Sequence, residues 1–245
     1  MRSFFTEPEN ITADKIVLTE DVSHIRNVLR MECGDEILVF DGTGREYKAE
    51  IISIEPKCVV CRKLEEGFCA AEPRLEVTLF QGIPKSDKME QIIQKSAELG
   101  IFETVPVKME RCVAKLDKAS EKLKRWNKIS REAAKQCGRG RIPPVREPVS
   151  FKEAVKQLAE KDLAIMPYEI LGHAGEKGLK ELLSKAGDIK TVGILIGPEG
   201  GFSDSEAAYA AESGINQVGL GRRILRTETA GSAILSVVMY ENDEI

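Results

Sequence analysis

Two glycine-rich segments near the C-terminus hold the residues best suited to chemistry. They are Gly197-Pro198-Glu199-Gly200-Gly201-Phe202-Ser203 and Gly221-Arg222-Arg223-Ile224-Leu225-Arg226. Gly197, Gly200 and Gly201 offer bare backbone for close approach by a planar ligand. A tight turn followed by a helix cap accounts for the same glycines, and Ser203 with Glu206 three residues on reads as a capping box. A nucleotide phosphate would call for Gly-x-x-x-x-Gly-Lys-Ser/Thr, which is absent. A dinucleotide would call for Gly-x-Gly-x-x-Gly after the first strand of its fold, also absent. With His24 and His173 as the only histidines, the sequence offers no Cys-His dyad and no Ser-His-Asp set. Cys58-x-x-Cys61 lacks the further ligands of a closed zinc site and sits in an apolar run, so the pair reads as small buried hydrophobes in a strand. We expect no metal. An enzyme built from these residues needs a reagent that brings its own reactivity. A sulfonium methyl donor is one, and the protein then has only to align donor and acceptor.

In an α/β sheet, ligands bind at the carboxyl ends of the strands, so the elements before these loops matter. Strands are expected at 75–80, 105–107, 162–166, 191–196 and 217–220, and helices at 84–99, 119–137, 151–160, 175–185, 204–213 and 228–240. Strands alternating with helices mean a parallel sheet. Met166-Pro167, Ile196–Gly201 and Leu220–Leu225 then fall at strand ends. Residues 1–72 read differently. Glu36–Phe40, the turn Asp41-Gly42-Thr43-Gly44, an imperfect period of two over Tyr47–Ile54 and a run from Cys58 to Leu64 suggest short strands in a small barrel. Gly67–Pro73 reads as the linker.

The chain has 245 residues and a formal net charge of −4, but the charge is uneven. Between Lys108 and Arg146 stand thirteen Lys/Arg and four acids, an excess of nine positive charges that leaves −13 elsewhere. Such a local excess fits a polyanion, most often a nucleic acid. Leu123, Trp126, Ile129, Ala133 and Cys137 are spaced for one buried face of the basic helix, which turns its lysines and arginines outward. The balance of 42% hydrophobic and 31% charged residues excludes a disordered or collagen-like chain. No apolar run approaches a membrane span. The N-terminus turns polar after Phe5 without a signal-peptide core, so the cytoplasm is the expected compartment.

The two C-terminal loops, continued by Thr227-Glu228-Thr229-Ala230, resemble those of the ribosomal RNA small-subunit methyltransferase E family, within the SPOUT methyltransferases. Lys85-x-x-Lys88-Met89-Glu90, then Lys95 and Glu98-Leu99-Gly100, resemble its first helix. Glu110-Arg111 and Arg125-Trp126-x-x-Ile129-x-x-Glu132-Ala133-x-x-Gln136-Cys137-x-Arg139 resemble its basic helix, and His24-x-x-x-Val28-Leu29-Arg30 with Gly34-Asp35 its N-terminal module. The resemblance covers nearly the whole chain. Cys112, where a hydroxyl residue is expected, departs from it.

The resemblance implies a PUA-like RNA-binding β-barrel over 1–72 and, over 73–245, an α/β methyltransferase domain with a C-terminal trefoil knot. It implies a homodimer that uses S-adenosylmethionine to methylate N3 of one uridine in small-subunit (16S) ribosomal RNA, free or in the assembled small subunit. Met166, Pro167, Ile196, Gly197, Gly200, Gly201, Leu220, Gly221, Ile224 and Leu225 would hold the donor. Arg226 would stabilise charge on the base, and Glu199 or Glu228 would take its proton. Arg2, His24, Arg26, Arg30, Arg111, Arg125, Arg139 and Arg141 would contact RNA. An RNA-binding factor without methyl transfer and a nucleotide-dependent α/β enzyme are the competing readings. The intact glycine loops speak against the first and the missing phosphate motifs against the second.

Overall fold

The computed structural model describes residues 1–113, 119–169 and 178–245. Within these, the chain divides into two units, residues 1–72 with 134–142, and 73–133 with 143–245. Lys115 and Lys118 of the basic stretch, and the start of the helix expected at 175–185, lie outside the described residues.

The smaller unit is a five-stranded sheet of β1 (Arg2–Phe5), β2 (Lys15–Leu18), β3 (Glu36–Phe40), β4 (Arg45–Ile54) and β5 (Val59–Phe68), in the order β1-β3-β4-β5-β2. β1 runs parallel to β3, and the other pairings are antiparallel. No ladder joins the two edge strands; instead the Thr6 hydroxyl, just past β1, donates to the Val17 carbonyl in β2 at 2.8 Å. Inward residues of alternating strands, among them Ile16, Leu18, Ile37, Val39, Ala49, Ile51 and Cys61, make one core. Burial pushes the Cys61 thiol up to about 12, in keeping with a cysteine that serves as a small hydrophobe. The sequence pattern shows β3, β4 and most of β5. It misses β1 and β2, which are only four residues each.

Segment 134–142 packs into this unit. Ala134 and Ile142 join Phe5, Phe40 and Cys69. Arg139, only 3% exposed, clasps Glu72 through Nε at 3.3 Å and Nη2 at 2.8 Å, while the Arg141 backbone N–H donates to the same carboxylate at 3.0 Å. Arg139 was expected on the surface against phosphate. The structure corrects this: its charge is spent inside the unit, because a buried guanidinium needs a carboxylate partner.

The larger unit is a six-stranded sheet. Its strands are β6 (Glu76–Gly82), β7 (Glu103–Lys108), β8 (Val149–Ser150), β9 (Leu163–Pro167), β10 (Thr191–Ile196) and β11 (Asn216–Val218), ordered β11-β9-β10-β6-β7-β8 with every pair parallel. The period of two splits the core. Val77, Leu79, Ile165, Ile194 and Ile196 point to one face and meet Ile234, Leu235 and Val238 of the last helix. Phe80, Met166 and Leu195 point to the other and meet Val155 and Leu158. A sheet buried on both faces is what parallel strands require. The helices are α1 (Lys88–Glu98), α2 (Ala119–Cys137), α3 (Phe151–Ala159), α4 (Leu179–Lys185), α5 (Asp204–Glu212) and α6 (Thr227–Glu241). α2 buries Trp126 against Met89, Ile93 and Val145, with Leu123 and Ile129 beside it, as its spacing predicts. α1 starts at Lys88 rather than at 84. Ser86 takes a left-handed φ of +55°, and the Lys85 N–H is taken by Glu199.

The Arg139–Glu72 clasp sets a stability prediction. Arg139→Ala leaves a largely buried carboxylate without its cation, and urea denaturation is expected to show a loss of about 3–5 kcal/mol.

Candidate functional site

The loops that follow β9, β10 and β11 wall one cavity of about 360 Å³ at the carboxyl ends of these strands, the ligand position of open α/β sheets. Its lining includes Pro167 and Tyr168 after β9, Ile196–Glu199 with Gly201 and Phe202 after β10, and Leu220–Thr227 after β11. Of the donor-binding residues expected from sequence, Pro167, Ile196, Gly197, Gly201, Leu220, Gly221, Ile224 and Leu225 line the cavity. Met166 does not, because its side chain is fully buried in the core behind it. Gly200 is absent from the lining too. Arg111 lies over it, its Nη1 donating to the Gly200 carbonyl at 3.1 Å, and a Cβ on Gly200 would stand 3.0 Å from Arg111 Cβ.

The backbone of these loops is tightly constrained. Gly201 and Gly221 have φ of +66° and +88°, conformations open to glycine at little cost. A Cβ at Gly197 would come within 3.3 Å of the Gly201 backbone, so a side chain there would close the fold of the loop on itself. Ser203 accepts from the Glu206 N–H while Glu206 reaches back to the Ser203 N–H at 3.0 Å, the expected capping box. The other Glu206 oxygen accepts from the Glu110 N–H at 2.9 Å, which ties the end of β7 to this loop.

Beneath the cavity lies a polar node. Thr227, the first residue of α6, donates its hydroxyl to the Gly197 carbonyl at 2.7 Å and accepts from Gln81 Nε2 at 2.9 Å. Gln81, at the end of β6, is fully buried and also donates to the Gly82 carbonyl.

The charged residues form a second cluster. Lys88 Nζ stands 3.1 Å from Glu199 Oε1 and 3.3 Å from Glu228 Oε2. Burial favours the neutral Glu199 acid, but its own N–H, Lys88 and the Lys85 N–H outweigh burial and hold the carboxyl below its usual range. Glu228 is lowered first by its own N–H at the start of α6, then by Lys88 and Arg226, against burial. Its place in the first turn also suits the helix dipole. Glu199 lines the cavity and Glu228 does not. Arg226 lines it with an exposed side chain, Nη1 4.0 Å from Glu228. Lys88 also lines the cavity, a place that sequence reasoning missed because its two carboxylates come from segments more than a hundred residues away.

The expected RNA residues divide by environment. Arg2, His24, Arg26 and Arg30 are all exposed in the smaller unit, with His24 and Arg26 on a single wide helical turn, His24–Val28. Arg125 forms a two-point pair with Glu90, both contacts at 2.8 Å. Arg141 is half-buried.

With this geometry in place, comparison with known proteins is decisive. The RNA methyltransferase domain family matches residues 71–239, and the RNA methyltransferase PUA domain family matches 18–64. Ribosomal RNA small subunit methyltransferase E of Bacillus subtilis is 37% identical over 91% of this chain and 89% of its own length. The chain belongs to the ribosomal RNA small-subunit methyltransferase E family. The Synechocystis member is 32% identical over 94% of this chain and 75% of its own. The crystal structure of the Neisseria gonorrhoeae member, bound to S-adenosylmethionine, superposes with a TM-score of 0.82 at 32% identity, covering 98% of this chain and 97% of that one. Among the described residues of this family member no group of side chains could hold a metal ion, and no helix is long and apolar enough to cross a membrane.

Lys88→Met tests the carboxylate cluster. The midpoints of Glu199 and Glu228, followed by carbon NMR, are expected to rise. Both folded values are depressed, so their contribution is present above the unfolded carboxylate pKa and fades as pH falls through the folded values. The variant is expected to lose less stability over that acid window than the wild type.

Proposed function

We propose that this protein transfers the methyl group of S-adenosylmethionine to N3 of one uridine in small-subunit (16S) ribosomal RNA. The observation that carries the reading is the cavity itself, with three strand-end loops, two of them lining it with glycines, around a space within the roughly 300–1,000 Å³ range of small-molecule sites, in a chain whose relatives are named ribosomal RNA small subunit methyltransferase E. The residues fit the donor. Ile196, Leu220, Ile224 and Leu225 supply apolar walls for an adenine ring, and Gly197, Gly201 and Gly221 let backbone groups approach its edge. When bound, the donor supplies an electrophilic methyl group.

The chain's own residues do the rest. Uridine N3 lies on the base-pairing edge, so the base has to be unpaired or turned out to reach the cavity. Loss of the N3 proton puts negative charge on the base, and Arg226, a cavity residue with an exposed guanidinium, is placed to stabilise it. Glu199 is the better-placed proton acceptor of the two carboxylates, since it lines the cavity. Glu228 sits behind and holds Lys88. Arg2, His24, Arg26, Arg30, Arg111, Arg125 and Arg141 belong to the RNA-facing set, with Arg111 also bracing the Gly200 loop. The family resemblance further supports a cytoplasmic homodimer whose C-terminal segment threads a trefoil knot. The exposed Val237 and Tyr240 on α6 supply apolar surface for such a pairing.

The test is methyl transfer from labelled S-adenosylmethionine to small subunits that lack the modification, with nucleosides read by mass spectrometry. Label is expected in N3-methyluridine at a single site. Label in another nucleoside, or none, overturns the reading. Arg226→Ala is expected to lower the single-turnover rate by about 10²-fold, with donor affinity by calorimetry unchanged.

A further inference from the structure

The charges around the cavity do not all find partners. Lys88 is matched by Glu199 and Glu228, and Arg226 stands beside Glu228. Arg222 and Arg223 line the same cavity, are exposed, and pair with no carboxylate among the described residues. Their loop follows Gly221, whose φ of +88° turns the chain sharply.

These two cations do not suit the methyl donor. At neutral pH its sulfonium and ammonium groups outnumber its one carboxylate, so the molecule carries net positive charge. A second and third guanidinium at the lip of its site would oppose its entry. The target nucleotide brings the opposite charge. A base that enters the cavity carries its two phosphodiesters to the rim with it, because they are covalently joined to its sugar. Arginine is the side chain best matched to phosphate oxygens, through its planar fork of donors.

We infer that Arg222 and Arg223 clamp the RNA phosphodiesters that flank the target nucleotide at the mouth of the cavity. The inference rests on the methyltransferase reading above and adds to it a substrate contact at the catalytic mouth. The clamp holds the backbone, so it fixes where the base enters without reading sequence. It also adds positive charge at a mouth where Lys88 and Arg226 stand next to carboxylates and Glu169 adds a further one.

The experiment compares wild type with the Arg222→Ala/Arg223→Ala double variant, using a short oligouridylate as the RNA probe and S-adenosylmethionine as the donor. The variant is expected to bind the oligouridylate about tenfold more weakly. Its plot of log affinity against log salt is expected to flatten by about 1.4, the counterion release of two single-stranded phosphate contacts. Donor affinity by calorimetry is expected to stay the same. The double Arg→Lys variant keeps both charges and is expected to keep the wild-type slope. An unchanged slope and RNA affinity in the alanine variant overturns the clamp. A fall in donor affinity also overturns it, because the arginines then hold the donor's carboxylate. Methyl transfer by wild type to unmodified small subunits is run in parallel. Its failure would sink the enzyme reading and is distinguishable from failure of the clamp, which leaves wild-type transfer intact.

Discussion

The cavity exists because one threonine hydroxyl fastens two strand ends together. The Thr227 hydroxyl donates a hydrogen bond to the Gly197 carbonyl after β10 and accepts one from Gln81 Nε2 at the end of β6. Gln81 and Thr227 are buried, where an unmade hydrogen bond costs about 1–3 kcal/mol. The node therefore fixes the start of α6 against the strand ends. With the helix start fixed, Arg226 just before it and Glu228 just after it have little freedom in where they begin. The Gly197 turn is held from below as well. At Gly82 an added Cβ would sit 2.7 Å from Pro198, so the loop after β10 lies directly on the backbone of β6. Loops normally gain variability from their exposure. Here the buried side of the loop after β10 is fastened while its cavity side stays open.

Electrostatics then separates roles among similar residues. Glu199 and Glu228 share Lys88, and both carboxyls are held below their usual range. Only Glu199 reaches the cavity, so the shared lysine ties a cavity carboxylate to one set back from it. A lysine between two acids is a compact charge cluster with net −1, which suits a site that receives a cationic donor. Arg226 stands at the edge of that cluster, 4.0 Å from Glu228.

Much of this was legible in the residues, and the exceptions have physical causes. The α/β alternation, the three cavity loops and the Ser203–Glu206 capping box depend on spacing within a short window, which a sequence displays directly. The Trp126 face of α2 is of the same kind. Two residues are misread because their partners are remote. Lys88 looks like a helix-start lysine until Glu199 and Glu228 come to it. Arg139 looks like one more surface cation until Glu72 is found beside it. Met166 sits one residue from the cavity, but the strand's period of two turns its side chain into the core. β1 and β2 were missed because four residues are too few to show alternation, and their pairing with β3 and β5 supplies what propensity cannot.

The basic stretch shows the same rule at larger scale. Thirteen cations against four acids suggested a continuous phosphate-facing surface. In the fold, acids distant in sequence return to several of them: Glu90 to Arg125, Glu72 to Arg139, Glu103 to Arg146 and Asp21 to Lys135, the last at 2.5 Å. A count of charges along a chain is thus an upper bound on the charge available to a partner. Exposure decides what remains. Arg125 and Arg146 are paired but open to solvent at 63% and 54%, where an ion pair is worth little and a phosphate can compete for the guanidinium. Arg139, at 4%, has no such exchange open to it. The charge left available on this stretch is therefore set by burial as much as by sign.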